Sequence, residues 1–408
     1  MKVAVVGLGK EGKNAVKSLR SHGHQVYASD MNKQIELNDF NGVNIDLGYH
    51  DLDKINSSDA VVLSPGLWGS KIAEEIKSKN KVLSDVLVNH RSIFTIGVTG
   101  TNGKTTTCFM IKTILEKSGL NVLIGGNAGG GFDGYTELIL EASSRASDKK
   151  YDVLIVEVCD MTLDFCDYNF DFEVVVVTNI GRDHMDFHRS LENYSSSICK
   201  FLKGKKAVLN KNDEFLLNLK DCAAETIFFN KYDGDLKVFG EFNRQNAAAA
   251  LNASKILNIT NKDITEALKN FEGVKGRTTT FQIQDSIVVI GKTDNVDATS
   301  AVFKEFNFDV IIIGTPRKGE ICRFDILKEV AKVNPHIVAL FPGLDNTTEM
   351  AIEILRNDGY KGNIKDLNNV DQVVNFTLKC AEQYKNIFIG GNGQQRLIEI
   401  QNSLHKPH

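Results

Sequence analysis

No apolar run in this chain approaches the roughly 18–20 residues that a helix needs to cross a bilayer, so a helical membrane span is excluded by length alone. Net charge is nearly absent as well. Against 48 Lys and Arg stand 52 Asp and Glu, a balance of -4, which gives no electrostatic reason to expect nucleic acid or an anionic membrane as partner. Cysteine is present but without pattern. The seven cysteines are scattered as Cys108, Cys159, Cys166, Cys199, Cys222, Cys322 and Cys380, with no CxxC pair among them. That argues against a disulfide framework or a zinc site and for thiols kept reduced in the cytoplasm. Met1-Lys2 leads directly into Val3–Val6, so no secretory leader is expected. Proline is scarce, with 5 in the chain, which says little about function. No internal repeat or low-complexity segment is visible.

What is there has the make-up of a folded globular protein: 42% hydrophobic and 25% charged residues. A chain of 408 residues exceeds one ordinary core, so two or three domains are expected. In residues 1–91, Val3–Val6, Gln25–Ala28, Asp59–Leu63 and Val82–Leu83 are short apolar runs separated by helical or turn patterns. Residues 92–277 repeat the style with Thr95–Val98, Val122–Ile124, Val153–Val158 and Glu173–Val177, and with helical periodicity at Cys108–Ser118, Tyr194–Lys203 and Asn246–Ile256. Residues 278–408 add Ser286–Ile290, Val310–Ile313, Ile337–Phe341 and Ile387–Ile389. The alternation predicts an α/β protein in three blocks with mostly parallel sheets.

The most informative stretch is Gly97-Val98-Thr99-Gly100-Thr101-Asn102-Gly103-Lys104-Thr105-Thr106-Thr107. It joins a strand to a helix start, which is what a phosphate cradle requires. Glycines let backbone N–H groups approach the phosphates, the helix N-terminus favours negative charge, Lys104 reaches terminal phosphate oxygens, and Thr105 offers a hydroxyl to Mg²⁺. A strict P-loop asks for Gly at position 98, where Val98 stands; the glycines fall at 97 and 100. The chain is expected to bind a nucleoside triphosphate.

A second Gly-rich turn, Gly7-Leu8-Gly9-Lys10-Glu11-Gly12, follows the first strand, and Asp30 closes the second strand about 20 residues on. This is the dinucleotide-fold fingerprint, with an acid placed for a ribose hydroxyl. The same turn seats any diphosphate or uridine group, or merely packs a helix on a strand. Nicotinamide chemistry is the less favoured reading because a nucleotide site lies downstream.

In the middle block, Glu157 puts a carboxylate at the end of an apolar strand, a costly place unless it binds a cation or partner. Mg²⁺ on the nucleotide is the obvious candidate. Thr178-Asn179-Ile180-Gly181-Arg182-Asp183-His184-Met185-Asp186-Phe187-His188 also follows a strand. There His184 is placed to complete a metal site, with Asp183 as the acceptor orienting it; His188 reads as structural. Asn243 and Asn246 open an Ala-rich helix, either as an N-cap or as amides offered to a purine edge.

Together these pieces resemble the Mur ligase family, ATP-dependent ligases of cell-wall peptide assembly that also include folylpolyglutamate synthetase. The matching residues are Gly100-Thr101-Asn102-Gly103-Lys104-Thr105-Thr106, Gly126-Asn127, Glu157, Thr178-Asn179 with Asp183-His184-Met185-Asp186, Asn243 with Asn246, and Gly276-Arg277. Ser64-Pro65-Gly66 and Lys292-Thr293-Asp294-Asn295-Val296 look most like the D-glutamate-adding branch. The resemblance implies three domains: a Rossmann-like substrate-holding domain, a central ATPase domain and a Rossmann-like C-terminal domain that closes over the site. It implies that a substrate carboxylate attacks the γ-phosphate of ATP and gives an acyl phosphate. Lys104, Glu157, His184 and Lys292 would be catalytic. Gly100, Thr101, Asn102, Gly103, Lys104, Thr105 and Thr106 would cradle the phosphates together with Arg277, and Asn246 would touch adenine. Thr105 and Glu157 would hold one Mg²⁺, and Glu157 with His184 a second. On the acceptor side stand Gly9, Lys10, Asp30, Asn127 and Asn179. The partner implied is a small molecule bearing a carboxylate, with no nucleic acid or membrane, and a monomer is expected.

The departures from that pattern fall on the acceptor side. Many members carry a carbamylated lysine four residues after the tyrosine matching Tyr194; here Ile198 stands there, and Lys200 points elsewhere on the helix. The acid that would grip the ATP ribose is replaced by Ile290-Gly291. After Glu157 the serines of cell-wall members are replaced by Val158-Cys159-Asp160-Met161-Thr162. The loop Gly125-Gly126-Asn127-Ala128-Gly129-Gly130-Gly131 is richer in glycine, which implies unusual room beside the acceptor. Gly390-Gly391-Asn392-Gly393-Gln394-Gln395-Arg396 also differs from the expected amino-acid loop. A non-muramoyl substrate is therefore expected. Ring closure on a nickel tetrapyrrole, as in the Mur-like coenzyme F(430) synthetase, is preferred over D-glutamate addition or pseudomurein peptide ligation.

Overall fold

The computed structural model describes residues 1–36, 40–144 and 151–405. Three sheets follow one another along the chain. The first holds β1 (Lys2–Val6), β2 (Gln25–Asp30), β3 (Asn44–Leu47) and β4 (Ala60–Leu63), all parallel in the order 3-2-1-4. The second holds β5 (Phe94–Thr99), β6 (Val122–Gly126), β7 (Val153–Glu157), β8 (Val174–Val177), β9 (Lys206–Asn210) and β10 (Glu225–Phe229), again all parallel, in the order 10-9-8-5-7-6. The third has β11 (Thr279–Ile283), β12 (Ser286–Ile290), β13 (Val310–Gly314), β14 (Ile337–Phe341), β15 (Asn363–Asp366) and β16 (Asn386–Gly391) in the order 11-12-16-13-14-15. Only β11 runs antiparallel to its neighbour there. The α/β class with mostly parallel sheets is thus as the alternation predicts.

Central strands are apolar along their whole length because helices cover both faces. Every residue of β7, β8 and β13 is buried. The strands absent from the sequence reading are mostly lateral ones. β3 and β15 lie at sheet edges and are half-buried or exposed, so their apolar signal is weak. The expected strand Val82–Leu83 is a single bridge from Val82 to Val61, after which the chain turns into the helix Leu83–Val86. Asp85 drives that turn by accepting from the Val82 backbone N–H at 3.1 Å. The helix expected from Cys108 begins earlier, at Lys104, and runs to Lys117. Its first turn is therefore part of the phosphate loop.

The cysteine expectation needs correction. Cys199 and Cys222 form a disulfide, 23 residues apart in sequence, joining the helix Leu191–Leu202 to the segment before β10. The other five remain free. Spacing alone did not reveal the pair because tertiary packing, not a short motif, brings the two thiols together. No described helix is long and apolar enough to cross a membrane.

Candidate active site

The sheet register assembles the site. Within the second sheet β5 lies between β7 and β8, with Val98 opposite Glu157 and Thr99 opposite Val177. The loop leaving β5, the carboxylate ending β7 and the Thr178-Asn179 turn after β8 therefore meet at the carboxyl ends of the strands. Parallel α/β sheets bind ligands at that edge.

Gly103 caps the helix Lys104–Lys117 with φ +87, and a Cβ there would lie 2.2 Å from Asn246 Oδ1, so the position tolerates only glycine. Asn246 is thus packed beneath the phosphate loop, and its Nδ2 donates to Asn243 Oδ1 at 3.0 Å. Neither asparagine is the N-cap, since the helix starts at Glu241 behind Gly240. The Lys104 ammonium donates to its own loop, to Gly100 O at 2.7 Å and Thr101 O at 2.8 Å. Burial works to lower its pKa, but the Asp160 and Glu157 charges outweigh that and hold it above the ordinary lysine value. Lys104 stays cationic where a terminal phosphate would sit.

Glu157 is 1% exposed. Its Oε2 accepts from Thr105 Oγ1 at 2.6 Å and its Oε1 from Asn127 Nδ2 at 3.1 Å. Arg277 closes the cluster: one terminal nitrogen donates to Thr105 Oγ1 at 2.6 Å and to Gly130 O at 2.8 Å. The Arg277 Nε is buried without a hydrogen-bond partner among the described residues. Thr101, Asn102, Thr106 and Asn179 also line the space. The Asn179 side chain, however, is spent on the loop: it accepts from Asn102 N at 2.9 Å and donates to Asn102 O at 3.0 Å. In this way it braces the phosphate loop.

The second polar centre differs from expectation. Asp183 is expected to orient the His184 imidazole. Instead His184 Nδ1 lies 3.0 and 3.1 Å from the two oxygens of Asp160, and Asp183 Oδ2 is 3.9 Å from Nε2. His188 Nε2 lies 2.7 Å from Asp160 Oδ2. Burial opposes the Asp160 charge, yet the two histidines and Lys104 more than offset it, so the carboxyl titrates far below the usual range. Burial likewise disfavours His184 protonation, and the Asp160 contact outweighs it and raises that pKa. Asp183 turns instead to Arg323, at 3.4 Å.

The third sheet reaches over both centres. Asn102 and Asn295 exchange amide hydrogen bonds of 3.1 and 2.8 Å. Arg182 pairs with Asp297 at 3.0 Å, and Asp294 holds Lys292 at 3.0 Å and Arg323 at 3.2 Å. From the first sheet comes Lys10, whose pKa is lowered by partial burial and by the neighbouring Lys292 charge. Lys10, Lys104, Glu157, His184, Arg277 and Lys292 all face one cavity of about 1720 Å³. Drug-sized ligand sites run to about 300–1,000 Å³, so this one has room for a nucleotide and a bulky acceptor together.

Gly9 and Asp30 lie outside that cavity. Gly9 is the N-cap of the helix Lys10–Ser21, and the Asp30 oxygens accept from Leu8 N at 2.5 Å and Asn32 N at 2.7 Å. Here the fingerprint's acid fastens a turn, and each of its oxygens keeps a further lone pair. The glycine-rich loop does not leave room either. A Cβ at Gly130 would fall 2.0 Å from Glu157 Oε1 and one at Gly126 2.4 Å from the Glu157 backbone carbonyl oxygen, so these two positions are glycine because the loop presses on Glu157. Sequence reasoning missed Asp160, Arg323 and Asn295 as site residues. The signal available for Asp160 was its position three residues beyond Glu157, with His184 and His188 one helical turn apart downstream.

Comparison with known proteins agrees with this geometry. Residues 98–235 match the Mur ligase middle domain. A UDP-N-acetylmuramoylalanine–D-glutamate ligase of Ligilactobacillus salivarius is 30% identical over 359 residues, covering 76% of this chain and 75% of that one. The corresponding Lawsonia intracellularis enzyme is 25% identical over 435 residues, covering 97% and 94%. In fold, a pseudomurein peptide ligase type C from Methanothermus fervidus superposes with a TM-score of 0.61 over 99% of both chains, at 23% identity. A phosphate loop backed by a buried glutamate, an open arginine and relatives spanning most of its length place this chain in the Mur ligase family, as an ATP-dependent ligase.

Proposed function

We propose that the chain activates a substrate carboxylate as an acyl phosphate at the expense of ATP. Residues 92–277 bind the nucleotide, 1–91 hold the acceptor and 278–408 close over both. The observation that carries this is the buried Arg277 Nε, without a hydrogen-bond partner among the described residues, beside Lys104 at the loop shared by Thr105 and Glu157. A buried N–H without a partner is costly, and a phosphate oxygen supplies the missing acceptor. A hydroxyl and a carboxylate oxygen side by side fit a hard divalent cation, so Thr105 and Glu157 would hold Mg²⁺, with His184 as ligand to a second ion. Mg²⁺ when bound supplies charge neutralisation on the phosphates.

The chain's own groups do the rest. Lys104 and Arg277 balance the charge spread over the γ-phosphoryl oxygens in transfer. A carboxylate oxygen of the acceptor bonds to Pγ as the Pγ–O bond to ADP breaks. A nucleophile then takes the acyl carbon and inorganic phosphate leaves. Lys292, turned into the cavity from the third sheet, is placed to meet the acyl phosphate, and Lys10 the acceptor's distal part.

The acceptor is proposed to be non-muramoyl. Asp160, which stands where the serines would be, is buried and bound to two histidines, which disfavours its reaching a sugar hydroxyl. Within that class the preferred reading is activation of a propionate on a nickel tetrapyrrole with ring closure, which suits a large cavity. Amide formation, with D-glutamate or in a pseudomurein peptide, is the second reading; the relatives named as D-glutamate ligases favour it. Phosphate release from ATP decides between them in parallel reactions. One contains a seco nickel tetrapyrrole without amine, the other UDP-muramoyl-alanine with D-glutamate. Stimulation by the first alone supports ring closure, by the second alone supports amide formation, and by no carboxylate at all refutes the ligase assignment. Lys104→Ala abolishes turnover in either case.

A further inference from the structure

We infer that Asp160 is a positioning residue: locked by His188, it fixes His184 in the tautomer with the proton on Nδ1, so that the Nε2 lone pair, taken here by the Arg323 guanidinium, is the one a divalent cation would use in its place. The inference rests on the nucleotide-and-cation reading above.

The tautomer follows from the partners. The Asp160 side chain is 2% exposed, and three donors converge on it: His184 Nδ1, His188 Nε2 and, at 3.5 Å, Cys159 Sγ. An ionised carboxylate only accepts, so each ring nitrogen facing it carries a hydrogen. For His184 that nitrogen is Nδ1. Its other nitrogen faces an Arg323 terminal nitrogen at 3.3 Å. A guanidinium only donates, so Nε2 must present a lone pair. Both contacts select the same tautomer, whose Nε2 can ligate a metal once the guanidinium gives way.

What holds Asp160 is equally specific. The His188 side chain is 2% exposed and its ring stacks on Tyr194 with centroids 4.2 Å apart and planes 16° from parallel. Tyr194 is fully buried on the helix Leu191–Leu202, which carries Ile198 into the core one turn later. His184 itself sits at φ +51, its backbone N–H held by Asp183 Oδ1 at 2.9 Å. Helix, tyrosine, His188, Asp160 and His184 thus form one packed line ending at the cavity. A carboxylate that orients a ligating imidazole also raises its basicity, and losing such a partner costs 10–100-fold in metal affinity.

The test begins with the unmodified protein. Long-range ¹H–¹⁵N spectra of neutral His184, assigned against His184→Gln, are expected to place the proton on Nδ1. A proton on Nε2 overturns the inference. Next, Mn²⁺ is titrated by electron paramagnetic resonance in the presence of a non-hydrolysable ATP analogue. Asp160→Asn is expected to weaken one class of Mn²⁺ site by about 10–100-fold while the analogue's own affinity holds; Mn²⁺ binding equal to wild type overturns the inference. Should Asp160→Asn not fold, His188→Phe is expected to weaken the same site, and His188→Gln, which keeps an N–H donor, to restore it. Equal Mn²⁺ affinity in the Phe and Gln variants overturns the role given to His188. If the unmodified protein binds no Mn²⁺ with the analogue, the nucleotide-and-cation reading fails; the ¹⁵N spectrum still decides the tautomer separately.

Discussion

Replacing Arg277 by alanine removes two hydrogen bonds that exist and one that the nucleotide completes. The existing pair runs from one terminal nitrogen to Thr105 Oγ1 and Gly130 O. Both partners keep other contacts or backbone flexibility, so their loss costs little in folding. The buried Nε is different, because among the described residues it has no acceptor. A hydrogen bond from a charged donor contributes about 1.5–3 kcal/mol, and one to a phosphate oxygen belongs to that class. At about 1.4 kcal/mol per decade, Arg277→Ala is expected to weaken a Mg²⁺-bound ATP analogue by about 10–150-fold. Arg277→Lys keeps the charge but not the planar fork and is expected to recover only part of that loss. Calorimetric titration of each variant measures it without needing the acceptor, and a thermal melt beforehand checks that folding is intact. An affinity equal to wild type in the alanine variant would refute the claim that this guanidinium awaits a phosphate.

Other expectations follow from particular contacts. Glu157→Gln keeps the side-chain shape but removes the charge and turns one of the two accepting oxygens into a donor, so its Mg²⁺ requirement for ATP turnover is expected to rise at least about tenfold; an unchanged Mg²⁺ titration would make Glu157 a bystander. Reducing the Cys199–Cys222 bond releases a loop of 23 residues, for which chain entropy gives about 3 kcal/mol, to be read as a lower denaturation midpoint with reductant and no change in a Cys199→Ser, Cys222→Ser variant. Asp294 lies between Lys292 and Arg323, and although burial opposes its charge the two cations hold its carboxyl well below the usual range. A depressed carboxyl stabilises the fold above its unfolded value of about 3.9 and loses that contribution as pH falls towards its folded value. Asp294→Asn, which leaves Arg323 less well paired, is expected to cost about 3–5 kcal/mol at neutral pH. The gap from wild type should narrow only below about pH 4, and a gap unchanged through that acid range would count against the assignment.

How far the sequence reaches is clearest at the phosphate loop. Gly103, Lys104 and Thr105 are contiguous, and their chemistry depends on a strand–turn–helix that local pattern specifies. Apolar runs likewise give the central strands, since burial on both faces writes itself into composition. Edge strands such as β3 and β15 do not, because half their surface is solvent. Side-chain partners across the chain were not legible at all. That Asp160 and not Asp183 faces His184, that Asp30 and Asn179 spend their oxygens on backbone, and that Cys199 meets Cys222 all depend on how strands and loops pack in three dimensions. Local sequence therefore determined the nucleotide-binding chemistry of this protein, whose reach is a few residues. Tertiary structure alone decided which buried charges pair, because each polar group taken out of water must find its partner among whatever the fold brings within about 3 Å.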